Sequence, residues 1–112
     1  MGDGGSWVTV EVSAEDLPPG SLQPASAGGV DLALARLADG SLAAFDLWCT
    51  HEECPLADGD LEGEHVVCYC HSGEFDVRTG AVVKGPPEDP VRIYPVREAA
   101  GEIQVRVEPA GG

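Results

Sequence analysis

All four cysteines of this 112-residue chain, and two of its three histidines, fall in two short boxes. The first reads Cys49-Thr50-His51-Glu52-Glu53-Cys54, and the second, thirteen residues later, reads Cys68-Tyr69-Cys70-His71. Taken as ligands, they supply a Cys-x-His pair and a Cys-x-x-His pair, with sixteen residues between His51 and Cys68. Whatever the chain folds into must bring these two boxes together.

Two thiolates and two imidazoles suit a two-iron, two-sulfide cluster ligated unequally, with histidines replacing cysteines on one iron. Thiolates are soft anionic donors that stabilise ferric iron. Exchanging two of them for neutral imidazoles removes charge from one iron and moves the potential into a range of roughly −150 to +300 mV. We assign Cys49 and Cys68 to the inner iron, and His51 and His71 to the outer iron, where an imidazole edge can face solvent and a partner protein.

Residues 42–107 resemble a Rieske ferredoxin. The likeness extends beyond the ligands to Pro55-Leu56, the acidic-glycine stretch from Asp58 to Gly63, the run Phe75-Asp76-Val77-Arg78-Thr79-Gly80, and Gly85-Pro86-Pro87. It implies one [2Fe-2S] cluster and a soluble one-electron carrier between an NAD(P)H-dependent flavin reductase and a terminal oxygenase. The systems concerned hydroxylate aromatic rings, of the carbazole or biphenyl dioxygenase type. It also implies transient docking at the histidine face, and a loop at Pro86 and Pro87 that, with Phe75, shields the cluster from water.

In the family's high-potential branch, cysteines at the positions of Cys54 and Cys70 form a disulfide between the two loops. The same bridge can form here; two buried thiols are the alternative, and a reducing cytosol favours them. Two departures from that branch point back to the ferredoxins. The order here is His71-Ser72-Gly73 rather than His-Gly-Ser, and Phe75 stands where a Tyr hydroxyl would donate to cluster or ligand sulfur. Such hydrogen bonds stabilise the reduced state, so their loss predicts a low potential.

Twenty acids against six bases give a net charge of −14, which excludes nucleic acid as a partner because one polyanion repels another. Residues 49–71 carry six acids and no base. That acidity solubilises the surface, and beside the ligands, at Glu52 and Glu53, it can steer basic partner surfaces. No run of eighteen apolar residues is present, and Met1 to Ser6 is glycine-rich and acidic. The expectation is a cytoplasmic monomer with no membrane span.

Along the chain, alternating Val8, Val10 and Val12 predict a strand, with Trp7 capping the core. Ser13 can start one helical turn before Pro18-Pro19-Gly20. Residues 21–29 read as a loop. Val30 to Leu37 and Ser41 to Leu47 form a hairpin about Asp39-Gly40, in preference to the helix that Ala33 and Ala35 allow. Trp48 reads as a core residue closing the sheet, and Tyr69 as a shielding or surface residue. A strand is expected at His65 to Cys68, with His65 an exposed bystander. A hairpin then spans Phe75 to Val83, and two alternating runs follow, Val91, Ile93 and Val96, then Ile103, Val105 and Val107.

The fold class expected is all-β, a Rieske-type antiparallel sandwich or pair of small barrels. It is a single domain over 1–112, with a base at 1–47 and 84–108 and a cluster-binding subdomain at about 48–83. Three competing functions carry less weight. They are the small subunit of a nitrite reductase, a quinol-oxidising subunit, and a structural zinc module, which has no need of histidines at this spacing. No catalytic residue is assigned.

Overall fold

The computed structural model describes residues 6–49, 54–70, 73–85 and 89–107. Within them lie eleven strands in three antiparallel sheets. The first sheet, in the order β1-β11-β10, contains β1 (Ser6–Ser13), β11 (Glu102–Val107) and β10 (Val96–Ala99). The second runs β2 (Leu22–Ala27), β3 (Val30–Arg36), β4 (Leu42–Asp46) and β9 (Ile93–Tyr94). The third is a meander of β5 (Asp60–Glu62), β6 (His65–Val67), β7 (Glu74–Asp76) and β8 (Val82–Lys84).

The second sheet is a partition between two cores. Leu32 and Leu34 of β3 and Ala44 of β4 point to one side, where they meet Val10, Val12, Leu17, Ile103 and Val105. Ala33 and Ala35, with Ala43 and Phe45, point to the other side, toward Cys49, Leu56, Val66, Cys68 and Phe75. A strand buried on both faces carries a continuous apolar run instead of strict alternation. Residues 32–35 are all fully buried, which is why the alternation there looked imperfect. The two alanines leave room for the third sheet to pack closely.

The segment read as a loop at 21–29 is instead largely β2, paired with β3 from Leu22↔Ala35 to Ala27↔Val30. It buries only Ala25 and Ala27, and its Pro24 is tolerated because β2 is an edge strand in its sheet. Gly28 and Gly29 both take positive φ (58° and 84°), as a two-residue hairpin of the primed type requires. The run Val91 to Val96 is also more divided than expected. Pro95 separates β9, paired with β4, from β10, paired with β11, so the chain changes sheets there.

Other expectations hold. Ser13 precedes a single 3-10 turn at Ala14–Asp16, although its hydroxyl donates to the Asp16 carboxylate instead of capping the backbone. Arg36 fastens this connector to the base, donating to the carbonyls of Leu17 (2.9 Å), Gly40 (3.0 Å) and Ala14 (3.3 Å) and pairing with Glu98 (3.1 Å). Among the described residues, no helix is long and apolar enough to cross a membrane.

Candidate metal centre

Each cysteine box is the tip of a hairpin. In the first, Cys49 N–H donates to the Cys54 carbonyl at 3.0 Å, Leu56 N–H donates to Leu47, and Trp48 bridges to Pro55. In the second, Cys68 N–H donates to the Gly73 carbonyl at 2.7 Å. Both tips are therefore closed by the same bond, from the amide of the first cysteine to the carbonyl five residues on. β4 delivers the first tip and β6 the second, and β7 leads away from the second.

A disulfide between Cys54 and Cys70 ties the tips together, with their Cα atoms 6.5 Å apart. Of the alternatives open in the sequence, the structure takes the bridge. Cys49 and Cys68 are left outside it and are buried, at 7% and 1% exposure. They share one apolar cluster with Leu56, Val66, Phe75 and Val77. The bridged sulfurs carry no anionic lone pair to give a metal, so the disulfide reduces the cysteine donor set to two.

That donor set fits a [2Fe-2S] cluster completed by two imidazoles, for which Cys49 and Cys68 would be the thiolates. His51 and His71 lie outside the described residues, as do Pro86, Pro87, Glu52, Glu53 and Ser72. Phe75 is fully buried in the cluster that holds both thiols. His65 is half-buried on β6, its Nδ1 3.5 Å from the Glu74 carboxylate on the neighbouring strand. It thus has a local carboxylate partner and is not the plainly exposed bystander expected.

Trp48 is a correction: it is 44% exposed and does not close the core. In extended backbone, neighbouring side chains point to opposite faces, so burying Cys49 turns Trp48 outward. Tyr69, between two inward cysteines, is likewise exposed, at 57%. Trp7 is a further correction: it is exposed and does not cap the core, and its ring instead faces the Arg97 guanidinium, 4.1 Å from its centroid.

Arg78 was quoted in the sequence only as part of a motif, and its work emerges in three dimensions. It reaches Asp39 (3.1 Å) and Ser41 (3.0 Å) at the β3–β4 turn, and Glu64 (3.1 Å) at the β5–β6 turn. The side chain thus links the second sheet to the third. Val91 N–H adds a backbone link by donating to the Gly80 carbonyl at 2.9 Å.

Comparison with known proteins bears on this arrangement directly. Residues 6–95 match the Rieske [2Fe-2S] domain. The chain belongs to that family. Its cofactor is one [2Fe-2S] cluster, and its relatives are electron-carrying components. It is 36% identical over 98 residues to the biphenyl dioxygenase ferredoxin subunit of Pseudomonas sp. (strain KKS102), covering 87% of this chain and 89% of the relative. The ferredoxin of carbazole 1,9a-dioxygenase from Nocardioides aromaticivorans IC177 superposes with a TM-score of 0.82 at 34% identity, over 89% of this chain and 96% of that one. A chain from the complex of reduced oxygenase and oxidized ferredoxin in carbazole 1,9a-dioxygenase gives a TM-score of 0.80 at 32% identity, over 88% and 91% of the two chains. This Rieske protein is therefore a ferredoxin-type electron carrier.

Proposed function

We propose that this Rieske ferredoxin accepts single electrons from an NAD(P)H-dependent flavoprotein reductase and delivers them to the terminal oxygenase of an aromatic-ring-hydroxylating system. One observation carries the assignment of the site: Cys49 and Cys68, at two hairpin tips joined by a disulfide, sit buried in a single apolar cluster. Cys49 and Cys68 would hold the inner iron as thiolates, and His51 and His71 would hold the outer iron through their imidazoles. When bound, the [2Fe-2S] cluster takes up and releases one electron.

The chain's own residues set the conditions for that exchange. Leu56, Val66 and Phe75 line the apolar surroundings of the two thiolates. Phe75 offers no hydroxyl to sulfur, which lowers the potential toward that of a nicotinamide-linked donor. With His51 and His71 as the outer ligands, the electron would enter and leave through their imidazoles, so reductase and oxygenase would dock in turn. Trp48 and Tyr69, each next in sequence to a ligand cysteine, are exposed aromatic side chains of the kind that dominate interface energetics. The carrier works as a cytoplasmic monomer, with Cys54 and Cys70 oxidised as its structural staple.

Reconstitution with reductase, oxygenase, nicotinamide and an aromatic substrate such as biphenyl or carbazole tests the reading. Product formation should depend on this protein and vanish with His71→Ala. A loaded protein that reduces no oxygenase would overturn the assignment of function. The disulfide is a feature of the quinol-oxidising branch, and a redox titration decides between the two roles. A midpoint above about +200 mV, near the top of the range for such centres, favours quinol oxidation.

A further inference from the structure

The sulfurs of Cys54, Cys68 and Cys70 lie within 4.8 Å of one another. A tetrahedral zinc site with Zn–S bonds of about 2.3 Å places its sulfurs about 3.8 Å apart, so side-chain rotations alone could close this triad on an ion. In the oxidised protein it cannot form, because two of the sulfurs are bonded to each other. We propose that the Cys54–Cys70 disulfide masks a three-thiolate site for a soft divalent cation, zinc above all, and that reduction of the disulfide unmasks it.

The step balances simply. A phosphine and one water reduce the S–S bond, the phosphine taking the oxygen as phosphine oxide and the two protons and two electrons leaving thiols on Cys54 and Cys70. In the cluster-free protein zinc then displaces the thiol protons of Cys54, Cys68 and Cys70 into solvent and forms three Zn–S bonds, with water as the fourth ligand; in the loaded protein the Cys68 thiolate exchanges its bond to iron for one to zinc, and the iron and sulfide of the broken cluster leave to solvent. The sequence that carries the triad is acidic: residues 49–71 hold six Asp and Glu and no Lys or Arg, which favours a cation. The triad contains Cys68 and not Cys49. Resting on the assignment of Cys68 as an iron ligand, the consequence is competition, because one thiolate cannot serve both metals. The disulfide then has a second role beyond stapling the tips: it protects the iron site from zinc.

The test uses the cluster-loaded full chain, a phosphine reductant, zinc chloride, and loss of visible absorbance with time. Zinc should accelerate that loss by roughly tenfold or more in the reduced wild type, and leave the oxidised wild type and the reduced Cys54→Ser/Cys70→Ser variant unchanged. Alkylation and peptide mapping of the reduced, zinc-treated wild type give a readout independent of the cluster and of any variant's folding. Protection of Cys54, Cys68 and Cys70 with modification of Cys49 is the expected pattern. Protection of Cys49 and Cys68 with modification of Cys54 and Cys70 would overturn the proposal, since zinc would then occupy the iron ligands. Equal zinc sensitivity of oxidised and reduced wild type would overturn it too. Either result leaves the ligand assignment standing, and only a loaded protein that keeps its spectrum without Cys68 would remove that.

Discussion

Replacing Cys54 and Cys70 by serine removes the disulfide between the two tips. The bridge spans a sequence separation of 16, enclosing a loop of about fifteen residues. In the chain-entropy model, closing such a loop takes about 10 cal/mol/K from the unfolded chain, or about 3 kcal/mol at 25 °C. An unfolding entropy of about 2.1 cal/mol/K per residue amounts, over 112 residues, to about 0.24 kcal/mol/K, so the melting midpoint should fall by roughly 13 °C. The assay is a thermal scan by far-ultraviolet circular dichroism on cluster-loaded wild type and variant at one scan rate. Wild type treated with a phosphine should reproduce the variant's midpoint, which separates loss of the bond from the effect of serine. A shift below about 4 °C, equivalent to about 1 kcal/mol, would refute the reasoning and mean the tips hold together without the disulfide.

Gly59→Ala should destabilise the protein by about 1–3 kcal/mol in urea unfolding, because a Cβ there would overlap the carbonyl of Val67 across the β5–β6 pair; an unchanged midpoint would show that the backbone yields easily. Tyr94 donates its hydroxyl to Asp46, and burial, then that bond and the Asp46 charge, push its pKa well above the ordinary value of 10.0, against a smaller opposing effect from Arg92. A folded-state pKa above the unfolded one gives stability that is complete below pH 10 and is lost as pH climbs from there toward the folded pKa. Tyr94→Phe should flatten that alkaline decline in melts taken across pH. With a net charge of −14, association with a basic partner surface should slow as salt rises from 0.01 to 0.15 M, when the screening length falls from about 30 to about 8 Å; stopped-flow rates indifferent to salt would remove the steering argument.

The family was legible because chemistry restricts which residues can stand in the two boxes, and the β3–β4 and β7–β8 hairpins because Asp39-Gly40 and Thr79-Gly80 are turn signals with a physical cause. β2 was not legible. It buries only two alanines, so its hydrophobic contrast is faint, and the Gly28-Gly29 turn that should have revealed it was read as part of a loop. Trp48 was misplaced because size suggested a core residue, while the parity set by its neighbour Cys49 decided its direction. The contacts of Arg36 and Arg78 join segments far apart in sequence, up to 62 residues for Arg36 and Glu98, and no local pattern reports them. The disulfide remained open in the sequence because spacing alone cannot say whether two thiols meet.

The account stands or falls on nitrogen ligation of one iron. Pulsed electron paramagnetic resonance of the reduced protein should detect two nitrogens bonded directly to the cluster, with one coupling lost on substitution of His51 and the other on substitution of His71. A reduced cluster with no directly bonded nitrogen, or couplings indifferent to both substitutions, would contradict it.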